Sequence, residues 1–319
     1  MTTLPLLWRR KNSNQNGKKR RPNLQPSFKS ALLFLSPWII GFLVFTAWPV
    51  LYSGYLAFTD YDVINDPQFI GFDNFRQLLE DEKIRLSLWN TFYFTVIQVP
   101  LLITIALSLA LLLNRAGRAA GFFRTAFFLP KMTPPVAVGI MLLLLFNGQD
   151  GVINKFLSLF GISGPNWTTD PSWVKPGIIL MSLWTVGSSV IILLAALRNV
   201  PQELYESARV DGANFWQQTT RVTIPMISGT IFFLVIVNTI AGFQTFTEAY
   251  TAYFGAGNST YDNSSALFYV IYLFQQAFEY FHMGYASAMA WVLFLIIMII
   301  TVIQLRVSKR FVYYEGEQQ

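Results

Sequence analysis

Six stretches of the chain, near residues 32–58, 90–113, 122–146, 176–197, 226–247 and 287–305, are predominantly apolar, each close to the roughly 20 residues that a helix needs to cross ~30 Å of hydrocarbon. No water reaches backbone N–H and C=O groups at that depth, so such stretches are restricted to helices that close their own hydrogen bonds. A composition of 53% hydrophobic and 13% charged residues over 319 residues lies outside the range of soluble domains. The expected fold class is therefore an all-α polytopic membrane protein with six transmembrane helices. The segment LFYVIYLFQQAFEYF (267–281) is apolar too, but Gln275, Gln276 and Glu279 interrupt it, and it reads as an interfacial or re-entrant helix. The first stretch is too long for a cleaved signal peptide, and no small-x-small site follows its apolar core.

Lysine and arginine set the orientation. With the N-terminus inside, cytoplasmic segments hold seventeen of the 23 Lys and Arg, in residues 1–31, 114–124 and 198–225 and after the last span; outer loops hold Arg76, Lys83, Arg85, Lys155 and Lys175, and Lys131 lies inside a span. Both termini are expected in the cytoplasm. The chain divides into a basic tail (1–30), a transmembrane domain (31–310) containing the loop 198–225, and a short C-terminal tail (311–319). The run RRKNSNQNGKKRRP reads as a topology determinant touching anionic membrane lipid rather than as a nucleic-acid site.

The chain has no Cys and one His, His282, which excludes disulfides, thiol chemistry and cysteine or histidine-cluster metal sites. No catalytic residues, no metal ligands and no cofactor of its own are expected. A membrane enzyme would need a richer inventory. A secondary transporter would carry intramembrane acids or histidines, whereas only Lys131 is deep in a span and Glu248 sits near an outer edge.

Between the fourth and fifth spans lies ELYESARVDGANFWQQTTRVTIP (203–225). Acidic residues occupy the first turn after Pro201, where the helix dipole favours them. Gly212 permits a sharp turn or a close backbone approach, ANFWQQTTRVTI resumes a helical pattern anchored by Phe215 and Trp216, and Pro225 suits the first turn of the next helix. A short helix, a turn and a second helix would lie across the cytoplasmic face, suited to a partner's groove or to a lipid surface.

Glu206-Ser207-Ala208, three residues, Gly212, nine residues and Val222-Thr223-Ile224-Pro225 resemble the EAA motif of permease subunits in binding-protein-dependent ABC importers. Ser207, Val222 and Ile224 are mild departures from it. ELYESARVDGA, FRTAFFLP, FIGFDNFRQLL and FEYFHMGYASAMAWVLFLI resemble the carbohydrate-uptake branch, in particular its maltose and glycerol-phosphate first-permease type, over about residues 30–315. FGAGNST (254–260) departs from a Gly-Gly-Pro common there, and Lys131 stands where a neutral residue is more usual. The resemblance implies the type I ABC importer permease fold and transport of a sugar by alternating access across the inner membrane of a prokaryote. A polyol phosphate such as glycerol-3-phosphate is the alternative. It further implies an extracytoplasmic solute-binding protein, a second permease in a heterodimer, and two cytoplasmic ATPase subunits that carry ATP and Mg. No phosphate-binding Gly-x4-Gly-Lys-Ser/Thr loop is present in this chain. In the coupling loop, Glu206 and Asp211 would contact the ATPase groove, Gly212 would make the turn and Ala208 the tight fit.

A pathway for solute should be lined by polar or small residues. In span five, Asn238, Gly242, Thr245 and Glu248 recur at helical spacing, with Phe243, Phe246 and Tyr250 able to stack on sugar rings; helix–helix packing explains the same stripe equally well. Trp184, Ser188 and Gln98 are further candidates. Lys131 either snorkels back to the cytoplasmic interface, the reading preferred here because the neighbouring loop is already basic, or faces the pathway and favours an anionic solute.

Overall fold

The computed structural model describes residues 28–255 and 263–309; the tails and most of FGAGNST lie outside the described residues. Two units are distinguished, one reaching Tyr52 and one beginning at Ser53. In the first, the chain is helical from Phe28, with one π-type turn at Leu43–Ala47, and its side chains from Leu32 to Tyr52 include no buried large hydrophobic residue.

Four helices are long and apolar enough to cross a membrane, Ala31–Leu56, Glu82–Arg115, Ser228–Tyr253 and Met283–Ser308. Two bent pairs, Ala120–Met132 with Pro135–Leu145 and Pro171–Thr185 with Gly187–Asn199, bring the number to six if each is one span. The second helix starts eight residues before its expected boundary because Asp81 caps it, its carboxylate accepting from the Lys83 N–H at 2.8 Å. The third span is not the continuous helix expected. Pro130, Pro134 and Pro135 remove backbone donors, and the chain turns by 97° between its halves. The fourth bends by 50° around Leu183–Thr185. The fifth stops at Phe243 and resumes at Thr247–Tyr253.

Glu82–Arg115 runs through the second unit, packing on Gly187–Asn199 and on Ser228–Phe243. Ala106 and Ala110, one turn apart and fully buried, let backbones approach beside Val190, Leu193 and Leu234. A second cluster gathers Leu142, Phe268, Tyr269, Ile271 and Met289. Phe268, Tyr269 and Ile271 belong to the segment expected to lie at an interface or re-enter. It forms a short helix, Tyr269–Phe274, and a π-type turn, Gln275–Glu279; residues 267–277 are buried or half-buried in protein, whereas 278–281 are exposed. Asn90 Nδ2 donates to the Ser264 and Leu267 carbonyls, and Thr91 Oγ1 accepts from the Tyr269 N–H at 2.9 Å. The interrupting polar residues are also held, Gln276 by His282 Nδ1 at 2.9 Å and Glu279 by the Tyr250 hydroxyl at 3.1 Å.

Where the second span begins, Asp81 Oδ2 accepts from the hydroxyls of Tyr272 at 2.6 Å and Tyr285 at 2.9 Å. Burial pushes the Asp81 carboxyl up, but these two donors and the amides of Lys83 and Ile84 outweigh it and hold the group below the ordinary carboxylate value. FIGFDNFRQLL supplies an antiparallel strand pairing Thr59 with Phe69 and a helix, Asp73–Glu80. Asn74 Nδ2 ties that helix to the Ala57 and Thr59 carbonyls.

Candidate functional site

The loop after the fourth span folds as a nine-residue helix, Gln202–Val210, followed by a turn and a second helix, Phe215–Gln218. Gly212 has φ +78°, a left-handed conformation that residues with a Cβ adopt at a cost. Its N–H donates to the Arg209 carbonyl at 3.1 Å, and the Ala213 N–H reaches back to the Ala208 carbonyl at 2.9 Å. This pair of bonds is the Schellman arrangement that closes a helix C-terminus on a glycine. A Cβ at Gly212 would meet nothing within 4 Å, so within this chain the glycine serves the turn and not a close approach. Asn214 and Gln217 then form a reciprocal capping box, at 2.9 and 2.8 Å.

Glu206, Ser207, Asp211, Gly212 and Pro225 are exposed, while Ala208, Val222 and Ile224 are half-buried. One contact ties the two halves of the loop together and another holds it to a membrane helix. The Tyr205 hydroxyl lies 2.9 Å from Thr223 Oγ1, and the Arg115 guanidinium sits 3.9 Å from the Phe215 ring centroid. Val210, 88% exposed, and Trp216, 71% exposed, leave apolar surface beside the acidic positions, the mixture that anchors and orients a protein partner.

The second constellation is a cavity of ≈ 300 Å³ among the second to fifth spans. All three broken spans contribute to its wall at or beside their breaks: Lys131 and Pro135 from the third, Ser182, Thr185, Ser188 and Ser189 from the fourth, and Gln244 to Glu248 from the fifth. The first two breaks also touch each other. Irregular backbone at membrane depth is tolerated where protein buries it or where it lines a cavity, which accounts for three interruptions meeting here.

Asn238, Gly242, Thr245, Glu248, Ser188, Lys131 and Gln98 all line this space, and Trp184 does not. Trp184 sits on the 3-10 turn Leu183–Thr185 and is 38% exposed. Gly242 also packs closely, since a Cβ there would come 2.8 Å from Thr95 Oγ1. Of the three rings expected to stack on sugars, Phe246 reaches the cavity, whereas Phe243 is buried in the core. Tyr250 stacks on Phe246 itself, centroids 5.0 Å apart. The snorkelling expectation for Lys131 presumed a straight helix, but the residue lies on the 3-10 turn Leu129–Met132 at the bend.

The polar groups of the wall are mostly acceptors. Ser182, Thr185 and Ser188 donate their hydroxyl protons to carbonyls of their own span, and Asn238 Nδ2 donates to the Leu234 carbonyl at 2.8 Å, leaving oxygen lone pairs for a ligand. Gln98 is 7% exposed, and its Oε1 has no hydrogen-bond partner, an expensive state for a buried group. Hydroxyl-bearing solutes would satisfy such a wall. Of the residues that reading missed, Ser182, Thr185 and Ser189 had one signal in the sequence, the recurrence of hydroxyl residues from Ser182 to Ser189 inside an apolar span; Thr247 stands beside the fifth-span stripe.

Residues 102–313 match the family model described as binding-protein-dependent transport system inner membrane component. Over 304 residues the chain is 41% identical to the probable ABC transporter permease protein YesP of Bacillus subtilis, covering 94% of this chain and 97% of that one. It is 36% identical to the lactose transport system permease protein LacF of Rhizobium radiobacter, covering 85% and 91%. Among solved structures, a bacterial alginate ABC transporter in complex with an alginate pentasaccharide-bound periplasmic protein superposes with a TM-score of 0.76 at 25% identity, covering 88% of this chain and 95% of that one. With its interrupted spans, central cavity and glycine-closed loop helix, the chain belongs to the family of binding-protein-dependent transport system inner membrane components, the permeases of ABC transporters.

Proposed function

We propose that this chain forms part of the membrane pathway of an ATP-driven importer that moves a saccharide inward by alternating access. The observation that carries the reading is the meeting of three helix breaks at one acceptor-lined cavity. Relatives named for lactose and arabinooligosaccharide transport, and the structural neighbour that handles alginate, support saccharides over polyol phosphates. In this scheme both termini and the loop 198–225 face the cytoplasm of a prokaryote, which the Lys and Arg distribution supports.

The loop docks into a groove of a partner ATPase subunit, with Glu206 and Asp211 making polar contacts and Val210 and Trp216 the apolar ones. Two such ATPases bind ATP and Mg, a second permease completes the pathway, and an extracytoplasmic binding protein delivers the solute. Closure of the ATPases displaces the docked loop, and the helices joined to it carry the displacement to the cavity. Membrane vesicles containing the assembled transporter, internal ATP and the binding protein should accumulate saccharide, and collapsing the ion gradients should leave uptake intact. Uptake that persists without ATP would refute the scheme.

A further inference from the structure

The cavity contains one cation whose position packing does not explain. Lys131 lines it from the bend of the third span, and Glu248 lines it from the fifth, yet among the described residues the only ion pairs are Arg76–Asp73 and Lys155–Asp150. Lys131 is exposed rather than packed away, so its ammonium is open to a ligand, and a lysine among membrane helices is costly unless a counter-charge or water compensates it. An internal salt bridge to Glu248 was within the chemistry of the wall, and it is not made. The nearest helix end adds to the same field. Pro135, the first residue of the eleven-residue helix Pro135–Leu145, is also part of the wall, and the first-turn amides of Val136 and Ala137 precede any intrahelical acceptor, so this end carries the positive pole of the helix dipole. Opposing requirements come from Gln98, whose buried Oε1 lacks a donor, and from Glu248, whose carboxylate can only accept while ionised.

We propose that the saccharide recognised by this cavity carries a single anionic group, a carboxylate of the uronate kind. Lys131 and the start of Pro135–Leu145 receive the acid, while Gln98, Asn238 and Glu248 accept hydroxyl protons. The inference rests on the saccharide-import reading and specifies its substrate class. One negative group matches one cation, and Glu248 opposes a second acid elsewhere on the ligand. A neutral saccharide would satisfy the acceptors but leave the ammonium without a counter-charge.

The test uses the complete transporter in proteoliposomes with its binding protein and internal ATP. Initial uptake is compared for uronate disaccharides of glucose, galactose and mannose configuration and for their neutral methyl esters. The wild type should prefer at least one acid to its ester. Lys131→Met should reduce that preference several-fold, about the scale for losing one member of a partly solvated charge pair, while Lys131→Arg should largely keep it. Lys131→Gln replaces the Met variant if the latter fails to co-purify as a complex. An acid-to-ester ratio unchanged by loss of the lysine overturns the inference, as does ATP-dependent uptake of the esters alone, which would leave the import reading standing. Absence of ATP-dependent uptake of these and of neutral disaccharides would overturn the import reading, and the substrate class with it.

Discussion

The loop from Pro201 to Pro225 and the cavity between Gln98 and Glu248 are built on opposite plans. In the loop, the residues that matter lie within one segment, mostly exposed, and are held by bonds inside it: a glycine-closed helix end, a capping box, one tyrosine hydroxyl. In the cavity they come from four spans and acquire a common wall only because three of those spans break at one place. A device that must fit an external groove can be specified by local rules, which a short sequence states fully. A device that must enclose a solute has to be assembled, and its parts are chosen by tertiary packing.

This contrast predicts defects of different kind. The largest should follow Gly212→Val, because a β-branched side chain at φ +78° stores on the order of 1–3 kcal/mol of backbone strain or opens the turn. Saccharide uptake and solute-stimulated ATP hydrolysis should both nearly vanish while the thermal unfolding of the spans is unchanged. Normal stimulation in an assembled complex would break the comparison by showing that the turn is dispensable. Gln98→Leu should do the reverse. Removing a buried acceptor that has no partner is neutral for the fold or stabilises it by roughly 1 kcal/mol, so the unfolding temperature should hold or rise while uptake falls several-fold. A drop in both would mean that the cavity wall, like the loop, is held by the groups that serve it.

A smaller effect concerns Asp81, outside both regions. Its carboxyl is held below its ordinary value in the folded chain, so its stabilisation is complete above the unfolded carboxylate value and disappears as pH falls through the lower folded value. Asp81→Asn should therefore flatten the acid limb of a pH–unfolding profile below about pH 4, and an unaltered limb would discount the two tyrosine bonds. The smallest should be Tyr205→Phe, which removes one half-buried contact to Thr223 worth about 0.5–1.5 kcal/mol. It should lower uptake modestly at constant assembly. An effect as large as that of Gly212→Val would move the critical joint from the turn to the tether.

The same contrast explains what could be read from the sequence. Six apolar stretches and the glycine turn are local properties, so the number of spans and the place of the loop were visible in hydropathy and spacing. Asn238, Gly242, Thr245 and Glu248 lie at helical intervals, and that periodicity led to one side of the cavity. The interruption after Phe243 was not foreseen, because Gln244 and Thr245 are ordinary polar residues in a helix interior. Nor was the 97° bend at Lys131, although Pro130, Pro134 and Pro135 were in plain sight. Proline states that a helix loses bonds, not which way the next segment leaves. The burial of Phe268, Tyr269 and Ile271 was hidden for a similar reason: their partners Asn90 and Thr91 lie more than 170 residues away in the chain.

Glu82–Arg115 has a mechanical consequence. Its 34 residues span about 50 Å at 1.5 Å per residue, and its single internal proline, Pro100, lies near the middle of the continuous helix. Arg115 rides on Phe215 at one end, Asp81 caps the other, and Gln98 sits just beside this proline. The arms on either side of Pro100 are roughly 27 Å and 22 Å long, so a rod pivoting there would deliver at Asp81 slightly more travel than the loop applies at Arg115. A tilt of about 5° would swing Asp81 by roughly 2 Å over that arm length, enough to part hydrogen bonds of 2.6 and 2.9 Å to Tyr272 and Tyr285, while Gln98, near the fulcrum, hardly moves. The far end would act as a latch, and the solute's contact with Gln98 would persist through the stroke that releases it.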